Sequence, residues 1–208
     1  MDHETRWNAR YRDAGDDYLF GIEPNGFLAR RAHLFQDGHT ALAVANGEGR
    51  NSVWLAEQGL KVTAVEISPV AVAKARKLAA GRGVAVNFVV ADLLAPDWPP
   101  AALENAFDWV VGIFIQFAGA EERLRQFAAM KRATRPGGRI LLHGYTPRQL
   151  EYKTGGPSAA ENLYTAEMLR AAFPDWSIEQ MAEYDDDIAE GSGHRGRSAL
   201  IGMVARKP

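Results

Sequence analysis

The sequence predicts an α/β fold, a mostly parallel sheet wound with helices on both faces, and three observations predict it. Apolar, β-branched runs alternate with helical patterns from Thr40 to Tyr145. A glycine loop, "ANGEGRN" (Ala45–Asn51), stands directly after the first such run and before the first helical stretch. Towards the end, two strand-like runs follow one another with only a loop between them. That suits antiparallel pairing, because a parallel crossover needs a dozen or more connecting residues.

Taken in order, Thr40–Ala45 is an apolar run bounded by turn residues and reads as a buried strand. Asn51–Gln58 carries Val53, Trp54 and Leu55 and is stopped by Gly59, a helix with a glycine end. Lys61–Ile67 is the next strand. Ser68-Pro69 then supplies a cap and a proline at the first helical position, opening a helix to about Ala80. Ala85–Val90 and Phe107–Phe114 read as strands, and Glu121–Thr134 as a helix with apolar Leu124, Phe127, Ala128 and Ala133. Arg135-Pro136-Gly137-Gly138 breaks that helix, and Arg139–Tyr145 returns to strand. Thr165–Phe173 reads as a helix capped by Thr165, with Met168, Leu169 and Phe173 facing inward. Ile178–Tyr184 and Ser198–Arg206 form the terminal pair of strands, and the acidic run Glu183–Asp187 reads as a solvated turn.

At 208 residues the chain suits one domain, 1–208, with residues 1–37 as a helical lid before the core of 38–208. A formal net charge of −2 gives no basic excess for phosphates, so neither a nucleic-acid nor a membrane partner is expected. The absence of cysteine removes disulfides, thiolate metal sites and a thiol nucleophile, and no metal is expected elsewhere. The opening "MDHETRWNARYRDAGDDY" has no apolar core of roughly 7–15 residues, and no run approaches about 18 apolar residues. A soluble cytoplasmic protein is the expectation.

The loop's position, at the carboxyl end of a strand and before a helix, is where open α/β sheets bind ligands. Glu66 ends the second strand, where a carboxylate can accept both hydroxyls of a ribose. A dinucleotide fits less well. The third glycine of its fingerprint falls at Ser52, and Glu48 stands within the loop, unsuited to a pyrophosphate but compatible with a cation. A nicotinamide-dependent oxidoreductase is therefore the weaker alternative.

Four segments carry a resemblance. "ALAVANGEG", "AVEIS", "VVADLL" and "ATRPGGRILL", in that order, resemble the motifs of class I S-adenosylmethionine-dependent methyltransferases. "RWNARY", "YLFGIEPNGFL" and "GEGRNSVWLAEQG" are similar to the tellurite-resistance and thiopurine methyltransferase group within that class. The resemblance implies a Rossmann-like, seven-stranded sheet with an antiparallel edge hairpin and S-adenosylmethionine as cofactor, leaving S-adenosylhomocysteine as product. It implies cofactor contacts from Ala45, Asn46, Gly47, Glu66, Ile67, Ala91, Asp92, Leu93 and Ile113, with Glu66 on the ribose and Asp92 on the adenine amino group. Trp7, Tyr11 and Phe20 would belong to the lid, with Trp7 and Phe20 touching the cofactor; Trp7 and Tyr11 read equally as one packed helix face. The chain departs from the pattern at two places: the usual acid is Ala43, and the first glycine is Ala45. A non-catalytic module that binds S-adenosylmethionine or S-adenosylhomocysteine is the alternative those departures raise.

The acceptor is expected to be a small molecule, by resemblance a thiol or other chalcogen nucleophile, held past the ends of the fourth and fifth strands. Phe114, Phe117, Tyr145, His194 and Arg197 are its candidate contacts, and Phe114 and Phe117 read as readily as core. His143, His194 and Tyr145 are the candidates for proton handling, with an internally satisfied histidine the plainer reading of His143. His194, Arg195 and Arg197 read as part of a glycine-rich loop, "GSGHRGR".

Overall fold

The computed structural model describes residues 2–208. Seven strands form one sheet in the order β3-β2-β1-β4-β5-β7-β6. The chain groups into two compact units, one running to Leu93 and including Glu190–Gly193, the other made of Leu94–Ala189 and His194–Pro208.

The first unit opens with helix α1 (His3–Asp13), whose first turn is capped by the Asp2 carboxylate accepting from Thr5 N–H at 2.7 Å. A short helix α2 (Gly26–Ala29) follows, then β1 (Thr40–Val44), α3 (Arg50–Glu57), β2 (Lys61–Glu66), α4 (Pro69–Arg82) and β3 (Val86–Val90). β1 pairs with β2 and β2 with β3, both parallel. Ala41, Leu42, Ala64 and Val65 are fully buried, as expected of strands covered on both faces. Ser68 caps α4 by accepting from Ala71 N–H at 3.2 Å with Pro69 behind it, the start signal expected from the sequence.

The second unit holds β4 (Phe107–Ile113), α5 (Ala120–Ala133), β5 (Thr134–Tyr145), α6 (Gln149–Tyr152), α7 (Ala166–Ala172), β6 (Ser177–Glu190) and β7 (His194–Arg206). β4 and β5 are parallel and β5 and β7 antiparallel, with Tyr145 opposite Leu200 and Arg139 opposite Arg206. Trp109, Met130, Ile140, Leu141 and Val204 fill the core.

Four expectations need correction. The Pro136-Gly137-Gly138 stretch lies within β5 as an irregularity against β4, where Thr134 already pairs with Phe107 before the register shifts. Gly138 is required there, because a Cβ would stand 2.9 Å from the carbonyls of Arg135 and Phe107. On α5, Leu124 is 67% exposed and Ala128 also faces outward, while Phe127, Met130 and Ala133 are buried. The acidic run is strand, not turn: β6 extends through it because Arg148 and Arg197 meet Asp185 and Arg197 meets Asp187. The turn is only Gly191–Gly193, so His194, Arg195 and Arg197 are strand residues.

Candidate functional site

In the first unit the chain leaves β1 through Ala45 and Gly47, both in left-handed backbone (φ 45° and 58°). Gly49 (φ 95°) lets the loop lie against α4, since a Cβ there would stand 2.7 Å from that of Ala75. Ser52, buried at the position of the missing fingerprint glycine, turns its hydroxyl onto the Gly49 carbonyl at 3.0 Å. The loop therefore packs without a third glycine.

Glu66, at the end of β2, is the centre of this region. Its carboxylate accepts from Gly47 N–H at 2.8 Å and Ser68 N–H at 3.0 Å, one on each oxygen, and it is 5% exposed. Burial pushes its carboxyl above the ordinary 4.5, against the pull of the backbone donors at Ser68, Gly47 and Ile67. A carboxylate offers about four lone-pair sites, so two further hydroxyl donors can be received without dismantling this arrangement. Glu48 is buried and paired with Lys74 through Oε1 at 2.8 Å, while its Oε2 has no hydrogen-bond partner among the described residues.

Helix α1 is fastened over the same loop. Asn8 Oδ1 accepts the Ser68 hydroxyl at 2.6 Å, and the Tyr11 hydroxyl would stand 3.0 Å from a Cβ at Gly47. Tyr11 is 3% exposed, and burial, then Glu66 and Glu48, push its hydroxyl well above the usual tyrosine range, so it remains protonated. Trp7 stacks on Tyr11 (centroids 5.7 Å apart), and Phe20 lies 6.5 Å from both. Ala91 N–H donates to the Glu66 carbonyl at 3.1 Å; Ile67 and Ala91 are half-buried, Leu93 is buried and Asp92 is exposed. Sequence reasoning missed the fastening of α3: Arg50 pairs with Glu190 at 2.6 Å, and Glu190 accepts from Asn25 Nδ2 at 2.8 Å. Residues so far apart in the chain leave no local signal.

In the second unit, Phe114 follows β4 in left-handed backbone (φ 55°). Its ring stacks on His194 (4.3 Å, 28°) and Tyr145 (4.7 Å, 27°), and lies 5.1 Å from His143. The Tyr145 hydroxyl and His194 Nδ1 are hydrogen-bonded at 2.7 Å, and His143 Nε2 and the Tyr184 hydroxyl at 2.9 Å. Gln116 fixes the end of β5 by accepting from Tyr145 N–H at 2.6 Å and donating to its carbonyl at 2.8 Å. Phe114, His143, Tyr145 and His194 are thus brought together, with Tyr184 as a member that the sequence did not announce. Ile113 precedes Phe114 at the end of β4, and Phe117 is half-buried beyond it. Arg197 goes elsewhere, to Asp187 at 3.2 Å.

Residues 41–138 match a family model described as a methyltransferase domain. Demethylmenaquinone methyltransferase of Thermus thermophilus is 32% identical over 108 residues, which is 51% of this chain and 47% of that protein. Hemagglutinin 1 of Eikenella corrodens is 28% identical over 171 residues, 78% of this chain and 52% of that one. The chain spans about half the length of these curated relatives. Among solved structures, the protein of "Conversion of a Disulfide Bond into a Thioacetal Group during Echinomycin Biosynthesis" superposes with a TM-score of 0.80 at 22% identity, over 99% of this chain and 92% of that one. TehB from Haemophilus influenzae gives 0.70 at 17%, over 97% and 67%.

Residues 41–138 are thus similar to a methyltransferase domain, and the solved neighbours share one fold with this chain over essentially its whole length, the Rossmann-like fold of class I methyltransferases. S-adenosylmethionine is the cofactor of that class, and the Glu66–Gly47 arrangement fits its ribose.

Proposed function

We propose that the protein transfers a methyl group from S-adenosylmethionine to a small-molecule acceptor, a thiol or another chalcogen nucleophile. The observation that carries the reading is the buried Glu66 carboxylate at the end of β2, held by the glycine-loop N–H with acceptor capacity to spare. When bound, the cofactor supplies an electrophilic methyl group on a sulfonium.

The chain's own part is to bind, orient and exclude water. Glu66 receives the ribose hydroxyls, Asp92 the adenine amino group, and Ile67, Ala91 and Leu93 line the nucleoside. Helix α1 closes as a lid, with Trp7 and Phe20 against the cofactor. At the ends of β4 and β5, the Phe114–Tyr145–His194 stack offers a flat, polarizable surface to the acceptor. An S–H or O–H acceptor gives up its proton as it takes the methyl group, and the hydrogen-bonded Tyr145–His194 pair would take up that proton. A thiol asks least of such a base, because its ordinary pKa of about 8.5 leaves some thiolate at neutral pH. A neighbour of the same fold is concerned with sulfur chemistry, the conversion of a disulfide bond into a thioacetal group.

Ala43 and the left-handed Ala45 favour a second reading, a module that binds the cofactor without turnover. Isothermal titration with S-adenosylmethionine and S-adenosylhomocysteine, then a screen of small thiols for methylated product, tests both. Micromolar binding with methylated product supports the transferase. Binding without product from any acceptor supports the module, and no binding at millimolar ligand defeats both.

A further inference from the structure

In the second unit, the segment after β5 carries a buried amide that the methyl-transfer reading leaves without a task. β5 and β7 run antiparallel as far as Tyr145 opposite Leu200, and Thr146 N–H still reaches the Ala199 carbonyl at 2.9 Å. Beyond that pair the chain turns into α6, so the ladder has no next residue to receive the Ala199 N–H. Gln149, 1% exposed, takes that place: its Oε1 accepts from Ala199 N–H at 2.8 Å. Its Nε2 donates to the Thr154 hydroxyl and to the Gly155 carbonyl, each at 3.0 Å. Both side-chain N–H groups and the oxygen are thus used, and a satisfied buried amide fixes a geometry that an apolar residue does not.

The turn held in this way, residues 154–156, lies against Tyr145. Gly155 and Gly156 have φ of 127° and 84°, and a Cβ at Gly156 would stand 2.9 Å from Tyr145 Cδ2 and 3.1 Å from its Cε2. The main chain of Gly156 therefore flanks one edge of the ring, while Phe114 stacks on it at 4.7 Å. The Tyr145 backbone is held separately, by Gln116 and by Tyr164 N–H at 2.9 Å, so the turn bears on the ring alone. That ring carries the hydroxyl bonded to His194 Nδ1 at 2.7 Å. We propose that Gln149 is a positioning residue: by pinning the turn it sets the Tyr145 ring, and with it the Tyr145–His194 hydrogen bond. The step from that bond to turnover rests on the methyl-transfer reading.

The nitrogen chemical shift of His194 Nδ1 reads this bond directly, with Tyr145→Phe giving its value when the bond is absent and His143 as the internal control. Gln149→Glu keeps an acceptor for Ala199 N–H, loses both donors to the turn and repels the Gly155 carbonyl. It is expected to move His194 Nδ1 toward the Tyr145→Phe value and to leave His143 in place. Gly156→Ala presses on the same ring edge without touching Gln149, is expected to do the same, and decides the matter should Gln149→Glu fail to fold. With a thiol acceptor, kcat is expected to fall by up to about 10²-fold, the cost of a misplacement of about 1 Å, with KM for the acceptor held within about twofold. An unmoved His194 in both variants, or equal movement of His194 and His143, overturns the assignment. A moved His194 in a protein whose wild type methylates no acceptor supports the tie and overturns the methyl-transfer reading instead.

Discussion

Two residues other than glycine leave the carboxyl ends of strands on left-handed backbone, one in each unit: Ala45 after β1 (φ 45°) and Phe114 after β4 (φ 55°). L-residues pay about 1–2 kcal/mol for that conformation. At Phe114 the side chain returns the cost, because its ring is the centre of a stack that includes Tyr145, His194 and His143. At Ala45 a methyl group returns nothing, and nothing in the structure explains why glycine is absent. The same strain thus marks two kinds of construction. The loop after β1 works through main-chain N–H groups and one buried carboxylate, whereas the end of β4 works through rings drawn from four separate strand ends and interiors.

The largest effect expected from that division lies on the ring side. His194→Ala should lower methyl-transfer turnover by about 10²–10⁴-fold, the range for a positioned acid–base group, and leave S-adenosylhomocysteine affinity nearly unchanged. Tyr145→Phe keeps the ring and removes only the hydroxyl bonded to His194 Nδ1, so a smaller fall in turnover with an altered pH profile is expected. Unchanged turnover in both variants would make the cluster a packing feature, and the division would then be one of architecture alone.

On the loop side the expected loss is in affinity. Glu66→Ala should weaken S-adenosylhomocysteine by about 1.5–3 kcal/mol, roughly tenfold to 150-fold, by calorimetry. Affinity should also fall as pH drops through the Glu66 carboxyl, whose midpoint burial sets above 4.5, because a protonated carboxyl loses acceptor capacity. The sign for stability is opposite. The folded chain holds this proton more tightly than the unfolded one, so the residue's contribution is most favourable below pH 4.5 and is lost as pH rises through the raised value. A wild-type affinity flat from pH 7 down to 4.5 would show that Glu66 does not meet the ribose.

Phe114 itself separates strain from stacking. Phe114→Ala removes the ring contacts but keeps a Cβ on left-handed backbone, and should cost about 1–3 kcal/mol in denaturant unfolding for two stacked pairs. Phe114→Gly removes the same contacts and the strain as well. On ordinary backbone glycine is the less stable of the two by about 0.5–1 kcal/mol; here it should be at least as stable as the alanine variant. The usual order would place the ring, rather than the backbone, as the sole reason for this geometry.

The two regions were also unequally legible. Glycine loop, Glu66 and the following strand end fall within one stretch of the chain, in the order a βαβ unit dictates, so their spacing alone brings Glu66 to the loop. The ring cluster obeys no such local rule. Phe114, His143, Tyr145 and His194 could be named because each lies at or near a strand end, but Tyr184 meets His143 only through the tertiary fold. β6 runs further than its local sequence suggests for a related reason. Three consecutive aspartates look like a turn until Arg148 and Arg197 are seen to balance them, information that sits on other elements. The buried Arg50–Glu190 pair is the extreme case, joining the start of α3 to the last residue of β6.

The smallest expected effect is at Ala45, and it sharpens the comparison most. If the methyl group there is only strain, Ala45→Gly should stabilise the protein by about 0.5–1 kcal/mol, since relief of the left-handed backbone is partly offset by the greater freedom of glycine in the unfolded chain. For a chain of this size that is a rise in Tm of roughly 1–4 °C. S-adenosylhomocysteine affinity should hold or improve, because the loop amide that holds Glu66 lies two residues on and is not altered. A lower Tm would mean that the methyl group packs usefully and the loop has adapted to it. A higher Tm with weaker binding would mean that the stiffness of alanine presets the loop for its ligand, so that Ala45, like Phe114, keeps its strain for a purpose.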